Sequence, residues 1–110
     1  PVWSGNDDLT VPLLSLGAKG VISVLSNVRP KRTLQMVRAC QAGDYAAAGR
    51  MQVALTPLID ALFSEINPIP VKQALSLMGI PAGLPRLPLT PLSATHLPAL
   101  EQALSAVPEP

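Results

Sequence analysis

The chain is poor in the residues that most often carry chemistry. Of its 110 residues one is a cysteine, Cys40, one a histidine, His96, and three are aromatic: Trp3, Tyr45 and Phe63. A lone cysteine has no internal disulfide partner. One cysteine and one histidine far apart in sequence do not supply a zinc ligand set, so neither a metal nor a disulfide framework is expected. A reducing, cytoplasmic setting is the simplest match. Charged residues amount to 14%, eight basic against seven acidic, for a formal net charge of +1. The basic residues are scattered rather than striped, which removes the electrostatic case for nucleic acid or an anionic membrane as partner. No apolar run approaches the ~20 residues that cross a bilayer, and the first residues lack the charged-then-apolar order of a signal peptide. The chain starts with Pro1 rather than methionine, which points to a processed or excised piece.

What is present is 48% hydrophobic, so the core has to be built from Leu, Val, Ile, Ala and Met. The length suits one folding unit. Val2-Trp3-Ser4 reads as a short strand closed by the turn Gly5-Asn6-Asp7-Asp8, with a short helix from Leu9 to Leu16 ended by Gly17. Gly20 to Leu25 is β-branched and apolar on both parities, the pattern of a parallel strand covered on both faces. From Pro30 the signal turns helical. Leu34, Val37 and Gln41 mark one register, and Gly43-Asp44 ends that helix and caps the next. The helix from Tyr45 to Phe63 carries Met51, Leu55, Leu58 and Leu62 on one stripe, with Pro57 expected to kink it. Asn67 is placed as the cap of a third helix whose buried edge is Val71, Ala74, Leu75 and Met78, stopped by Gly79 and Pro81. Residues 82–91, AGLPRLPLTP, read as extended backbone without a ladder. Ser93 is placed as the cap of a last helix bearing Leu97, Leu100 and Leu104, and residues 108–110 read as frayed. Cys40 reads as small apolar filler, and His96 as a surface residue.

Two short parallel strands cannot cover both their faces and both their edges. The strand–helix–strand unit is therefore incomplete without further sheet. Three motifs in order supply a candidate parent: SGNDDLTVPLLSLGAKGVISVLSNVRP, then NPIPVKQALSLMGI, then RLPLTPLS. Together they resemble the carboxyl-terminal portion of the dihydrodipicolinate synthases. That resemblance implies an α/β fold: the last two β/α units of a TIM (β/α)8 barrel plus a carboxyl-terminal helical subdomain, mostly α within this chain. It implies barrel strands seven and eight with their helices over 1–43 and a helical region over 44–110. A whole barrel takes about 250 residues.

The resemblance also implies a class I aldolase-type lyase, in which a lysine forms a Schiff base with pyruvate, a tyrosine relays protons and the enamine attacks aspartate semialdehyde. It places that lysine and tyrosine upstream of Pro1, so no catalytic residue is expected in this chain, and no cofactor. The lysines present, Lys19, Lys31 and Lys72, read as solvated charges or helix salt bridges. Gly5 and Asn6 correspond to a glycine and an acidic residue lining the substrate cavity, with Asn6 keeping an acceptor but losing the charge. Ile22 corresponds to the residue whose backbone carbonyl meets the pyruvate-derived intermediate and whose side chain excludes water. Leu16 corresponds to a subunit contact in tetrameric members, so a homo-oligomer is expected. Ser23, Ser26 and Asn27 read as satisfying loop backbone. Two readings stand beside this one. Sialic acid lyases and keto-deoxy sugar aldolases share the implied fold, but Ile22-Ser23-Val24, NPIPVK and RLPLTP favour the synthases. A non-catalytic helical interaction module built on the leucine stripes is the reading from a different class.

Overall fold

The structure is a computed structural model that describes residues 1–110. Five α-helices account for the regular structure: α1 (Thr10–Ser15), α2 (Pro30–Gln41), α3 (Tyr45–Leu62), α4 (Ile69–Leu77) and α5 (Leu97–Ala106). Single 3-10 turns precede α1, at Asp7–Leu9, and α2, at Leu25–Asn27. The chain is thus mostly helical, as expected, but the two strands shrink to one parallel bridge between Ser4 and Val21. Main-chain bonds hold it: Lys19 N–H to the Val2 carbonyl at 2.8 Å, Ser4 N–H to Gly20 at 2.9 Å and Ile22 N–H to Ser4 at 2.8 Å. The second expected strand fails to reach Leu25 because Asp7 takes the N–H groups of Val24 and Leu25 at 2.9 and 3.0 Å. That turns Leu25 down into the helical core, where it is fully buried.

Helix starts and stops follow local chemistry. Pro30 opens α2 at its first position, where its missing N–H costs nothing. Gly43 takes φ +79° after α2, and Asp44 caps α3 by accepting from Ala47 N–H at 2.9 Å. Pro57 is exposed and α3 runs through it unbroken. Two expected caps fail. Pro68, not Asn67, precedes α4, and His96, not Ser93, precedes α5, in both cases without a side-chain cap bond. Ser93 instead ties to Glu65, through N–H at 3.0 Å and hydroxyl at 2.9 Å.

In the main core cluster Leu55, Leu58 and Leu62 of α3 meet Leu25, Val28 and Met36, with α4 and α5 closing the other side. The stripe on α3 is therefore as read, with Met51 at its edge. On α2 the buried face is Thr33, Met36 and Cys40, one residue out of step with the expected Leu34, Val37 and Gln41. The reason is that α2 is two-sided. The Leu34–Val37–Gln41 face looks onto Trp3 and Val21 across an open recess of ≈ 310 Å³, with Val37 also packing against the Leu14–Cys40–Ala48 cluster. Met78, expected inside, is 39% exposed because α4 ends at Leu77. Cys40 is buried with Leu14 and Ala48, and burial pushes its thiol pKa up, as suits inert filler.

The last residues are not frayed. The Glu109 carboxylate accepts from the first free N–H groups of α2, Lys31 at 3.2 Å and Arg32 at 3.3 Å. Beneath it Arg29, 6% exposed, sends Nε to the Val107 carbonyl, Nη1 to Val28 at 2.7 Å and Nη2 to Leu104 at 2.8 Å. One side chain at the start of α2 thereby caps the end of α5.

Candidate functional site

Strand register places the site. With Ser4 opposite Val21 in a parallel pair, Trp3 lies beside Gly20 and Gly5 beside Ile22, all on one face. The first pairing is tight, for a Cβ on Gly20 would stand 2.6 Å from Trp3 Cζ3. The second is open. Gly5 lies outside the left-handed φ region and a Cβ there would meet nothing within 4 Å. Neither turn geometry nor packing inside this chain requires glycine at position 5.

Ile22 closes the pair at its carboxyl end. Its N–H is fixed on Ser4, its side chain is 73% exposed, and no hydrogen bond ends on its carbonyl. Gly5 and Ile22 thus stand side by side at this end of the pair. Asn6 diverges from them. Its extended backbone (φ −124°, ψ 130°) leads into the 3-10 turn, and it lines a recess of ≈ 200 Å³ with Asp8, Ile59, Asp60 and Phe63. Leu16 sits at the far end of α1, 85% exposed.

Behind this face lies a polar framework in which Asp7 is central and 1% exposed. Its carboxylate accepts from the Ser23 hydroxyl and from the N–H groups of Val24 and Leu25. Its carbonyl accepts from Gln52 Nε2 at 3.0 Å and from Thr10 Oγ1 at 2.9 Å, and Gln52 Oε1 accepts from Val11 N–H at 3.1 Å. Ser23, Ser26 and Asn27 satisfy loop backbone as read: Ser26 Oγ donates to the Ser23 carbonyl and Asn27 Nδ2 to that of Val24, both at 3.0 Å. Ser4, Asp7, Gln52 and Arg29 were not signalled by the sequence pattern. The available hint was three or more polar residues crowded at a strand end, which a solvated turn does not need.

The lysines stand away from Ile22. Lys19 lies exposed at the opposite end of the strand pair. Lys31 Nζ reaches the Pro110 carbonyl at 3.3 Å, and Lys72 Nζ reaches those of Ala82 and Leu84 at 3.3 and 3.4 Å. Lys31 is exposed, as expected of a solvated charge, while half-buried Lys72 meets backbone carbonyls rather than a salt-bridge partner. One contact joins a ring nitrogen to a carboxylate: His96 Nδ1 lies 2.7 Å from Glu65 Oε2. His96 and the Ser93 bonds hold the Glu65 carboxyl below its ordinary pKa.

Residues 1–107 match the family model described as the dihydrodipicolinate synthetase family. A 4-hydroxy-tetrahydrodipicolinate synthase from Exiguobacterium is 51% identical over 105 residues, spanning 92% of this chain and 36% of that protein. The crystal structure of a dihydrodipicolinate synthase from Thermotoga maritima superposes with a TM-score of 0.92 at 46% identity, covering 94% of this chain and 35% of its own. A chloride-inhibited dihydrodipicolinate synthase from Acinetobacter baumannii, complexed with pyruvate, superposes at 0.89 with 42% identity, covering 96% and 36%. The chain spans about a third of the length of the relatives it matches. These neighbours are TIM-barrel enzymes, which accounts for a strand pair with two open edges.

Proposed function

The chain belongs to the dihydrodipicolinate synthetase family, and on that premise we propose that it is the carboxyl-terminal third of a pyruvate-dependent synthase. The complete enzyme joins pyruvate to aspartate semialdehyde on the route to lysine and diaminopimelate. In that enzyme a lysine amine adds to the ketone carbon of pyruvate, water leaves, and the resulting enamine attacks the aldehyde. The carrying observation is the unpaired Ile22 carbonyl beside the unobstructed Gly5 at the carboxyl end of a parallel strand pair, the end where such barrels build their sites.

Each residue then has a role. The Ile22 carbonyl accepts a hydrogen bond from the pyruvate-derived adduct, and its side chain shields that adduct from water. Gly5 leaves room for the substrate. Asn6 offers a neutral polar group at the rim where other members carry a charge. The nucleophilic lysine and the proton-relaying tyrosine belong to chain upstream, so this piece alone turns nothing over. Neither metal nor cofactor is called on. Residues 1–43 are the end of the barrel and 44–110 the appended helical region. Leu16, exposed at the end of α1, makes a subunit contact in a homotetramer working in the cytoplasm.

Intact mass after mixing with pyruvate and borohydride tests this reading. The 11.5 kDa chain stays unmodified, while the same chain joined to an upstream barrel segment gains one reduced pyruvate adduct. An adduct on the 11.5 kDa species refutes the assignment, because it puts the nucleophile on Lys19, Lys31 or Lys72.

A further inference from the structure

The bonds between the two extended segments stop abruptly. One rung is complete: Ser4 N–H to the Gly20 carbonyl and Ile22 N–H to the Ser4 carbonyl. Parallel register fixes the next rung, in which Asn6 N–H would donate to the Ile22 carbonyl and Val24 N–H to the Asn6 carbonyl. Neither bond forms, and three of the four groups are occupied elsewhere. Asn6 N–H donates to Ser4 Oγ at 3.2 Å, and the Ser4 hydroxyl donates to the Asn6 carbonyl at 2.7 Å. Val24 N–H donates to the Asp7 carboxylate at 2.9 Å. The Ile22 carbonyl alone is left over.

Both diverting side chains are buried, Ser4 at 0% and Asp7 at 1% exposure. Both are also fixed. Ser4 is held through its own backbone in the first rung, and Asp7 by Gln52 Nε2 and by its bonds to Ser23 and Leu25. Without Ser4 Oγ the Asn6 N–H loses the acceptor that turns it away, and the Ile22 carbonyl is the acceptor that parallel register assigns to it.

We propose that Ser4 and Asp7 are positioning residues that end the ladder one rung early, so that the Ile22 carbonyl is presented unpaired to the pyruvate-derived adduct. The proposal rests on the role given to Ile22 above. It also defines what that carbonyl recognises: as a pure acceptor it selects a donor, such as the N–H of a protonated imine, over a second carbonyl or carboxylate.

Two measurements test it separately. In the uniformly labelled 110-residue chain, no scalar coupling through a hydrogen bond links Asn6 nitrogen to the Ile22 carbonyl carbon. The coupling appears in Ser4→Ala and is absent again in Ser4→Thr, which keeps the hydroxyl. In the chain fused behind the upstream two thirds of the Thermotoga maritima enzyme, Ser4→Ala still traps pyruvate with borohydride. Its kcat falls on the order of a hundredfold, the scale of a reacting group displaced by about an ångström, with KM for pyruvate little changed, and Ser4→Thr restores it. Asp7→Asn, which keeps the shape but lacks one acceptor oxygen, lowers kcat by a smaller factor and serves as the second variant if Ser4→Ala does not fold. A coupling already present in the parent chain overturns the proposal, and so does a folded Ser4→Ala or Asp7→Asn fusion with unchanged kcat. A parent fusion that forms no pyruvate adduct removes the functional reading instead, and the coupling then decides the ladder on its own.

Discussion

Replacing Arg29 with methionine should unfold the helical body more easily, by an amount the contacts let one work out. The guanidinium donates to three backbone carbonyls, those of Val107, Val28 and Leu104, and Nη1 also reaches Met78 Sδ at 3.6 Å. Bonds from a charged donor contribute ~1.5–3 kcal/mol each. Two of the acceptors lie at the end of α5, where a cation gains a further ~0.3–1 kcal/mol from the helix dipole. Against this stands burial of the cation, which lowers the Arg29 pKa, an effect partly offset by Glu109 and reinforced by Arg32. A buried charge costs several kcal/mol to desolvate, so the net loss is set at about 2–4 kcal/mol. Methionine fills the volume but leaves the Leu104 and Val107 carbonyls without donors. With a urea slope of ~1–1.5 kcal/mol per molar for a domain this small, the midpoint falls by about 1.3–4 M. Arg29→Lys brings a single point donor and recovers less than half of that. Urea titration followed by circular dichroism reads the shift. A midpoint for Arg29→Met within about 0.4 M of the parent, the range of ordinary surface changes, refutes the claim that this side chain ties α5 to α2.

Further outcomes follow from the same contacts. Gly20→Ala drives a Cβ to 2.6 Å from the Trp3 ring, so stability drops by about 1–3 kcal/mol and emission of the sole tryptophan shifts; pairing it with Trp3→Leu restores stability, and no rescue means the clash is not the cause. Glu65 has its pKa lowered by His96 and Ser93, so its contribution is full above the ordinary glutamate pKa of about 4.3 and is lost as pH falls through the lowered folded value. Thermal melts of Glu65→Gln should therefore lie below the parent at neutral pH and converge with it in acid, whereas a constant offset excludes linkage. Glu109→Gln weakens the two bonds that close the start of α2, costing about 1 kcal/mol on the scale of helix caps. Hydrogen exchange at Lys31 and Arg32 should quicken while that at Leu58 does not.

How far the sequence could be read depended on whether a residue answers to its neighbours in the chain or to distant ones. The α3 stripe, the Gly43-Asp44 junction and the Pro30 start are local, and all stand where periodicity and capping chemistry put them. The α2 register was misread because one helix serves two surfaces, the helical core through Met36 and the strand pair through Leu34 and Val37. A single hydrophobic period does not separate them. Asn67 and Ser93 have good cap chemistry, but each lies more than one residue before the helix it was meant to cap. At the site, motif likeness singled out Gly5 and Ile22, and register places those two side by side. The residues that shape the backbone around them went unnoticed because Ser4, Asp7 and Gln52 act through pairings 16 to 45 residues apart or through one hydroxyl turned back on its own loop. The end of the chain misled for the same reason, since a Pro-rich tail looks loose until Arg29, Arg32 and Glu109 are seen to meet across it.

The link between Arg29 and Val107 also sets a schedule for biosynthesis. The two residues lie 78 positions apart, so at ~5–20 residues per second a ribosome needs roughly 4–16 s to deliver the acceptor after the donor. During that interval the guanidinium lacks its two acceptors at the end of α5, although α3 is already available to cover Met36. The helical body can therefore become fully latched only once Val107 has been made and has cleared the ribosome. Slow codons between those for Arg29 and Val107, rather than changes near the site itself, would decide how long the helical body waits half-built.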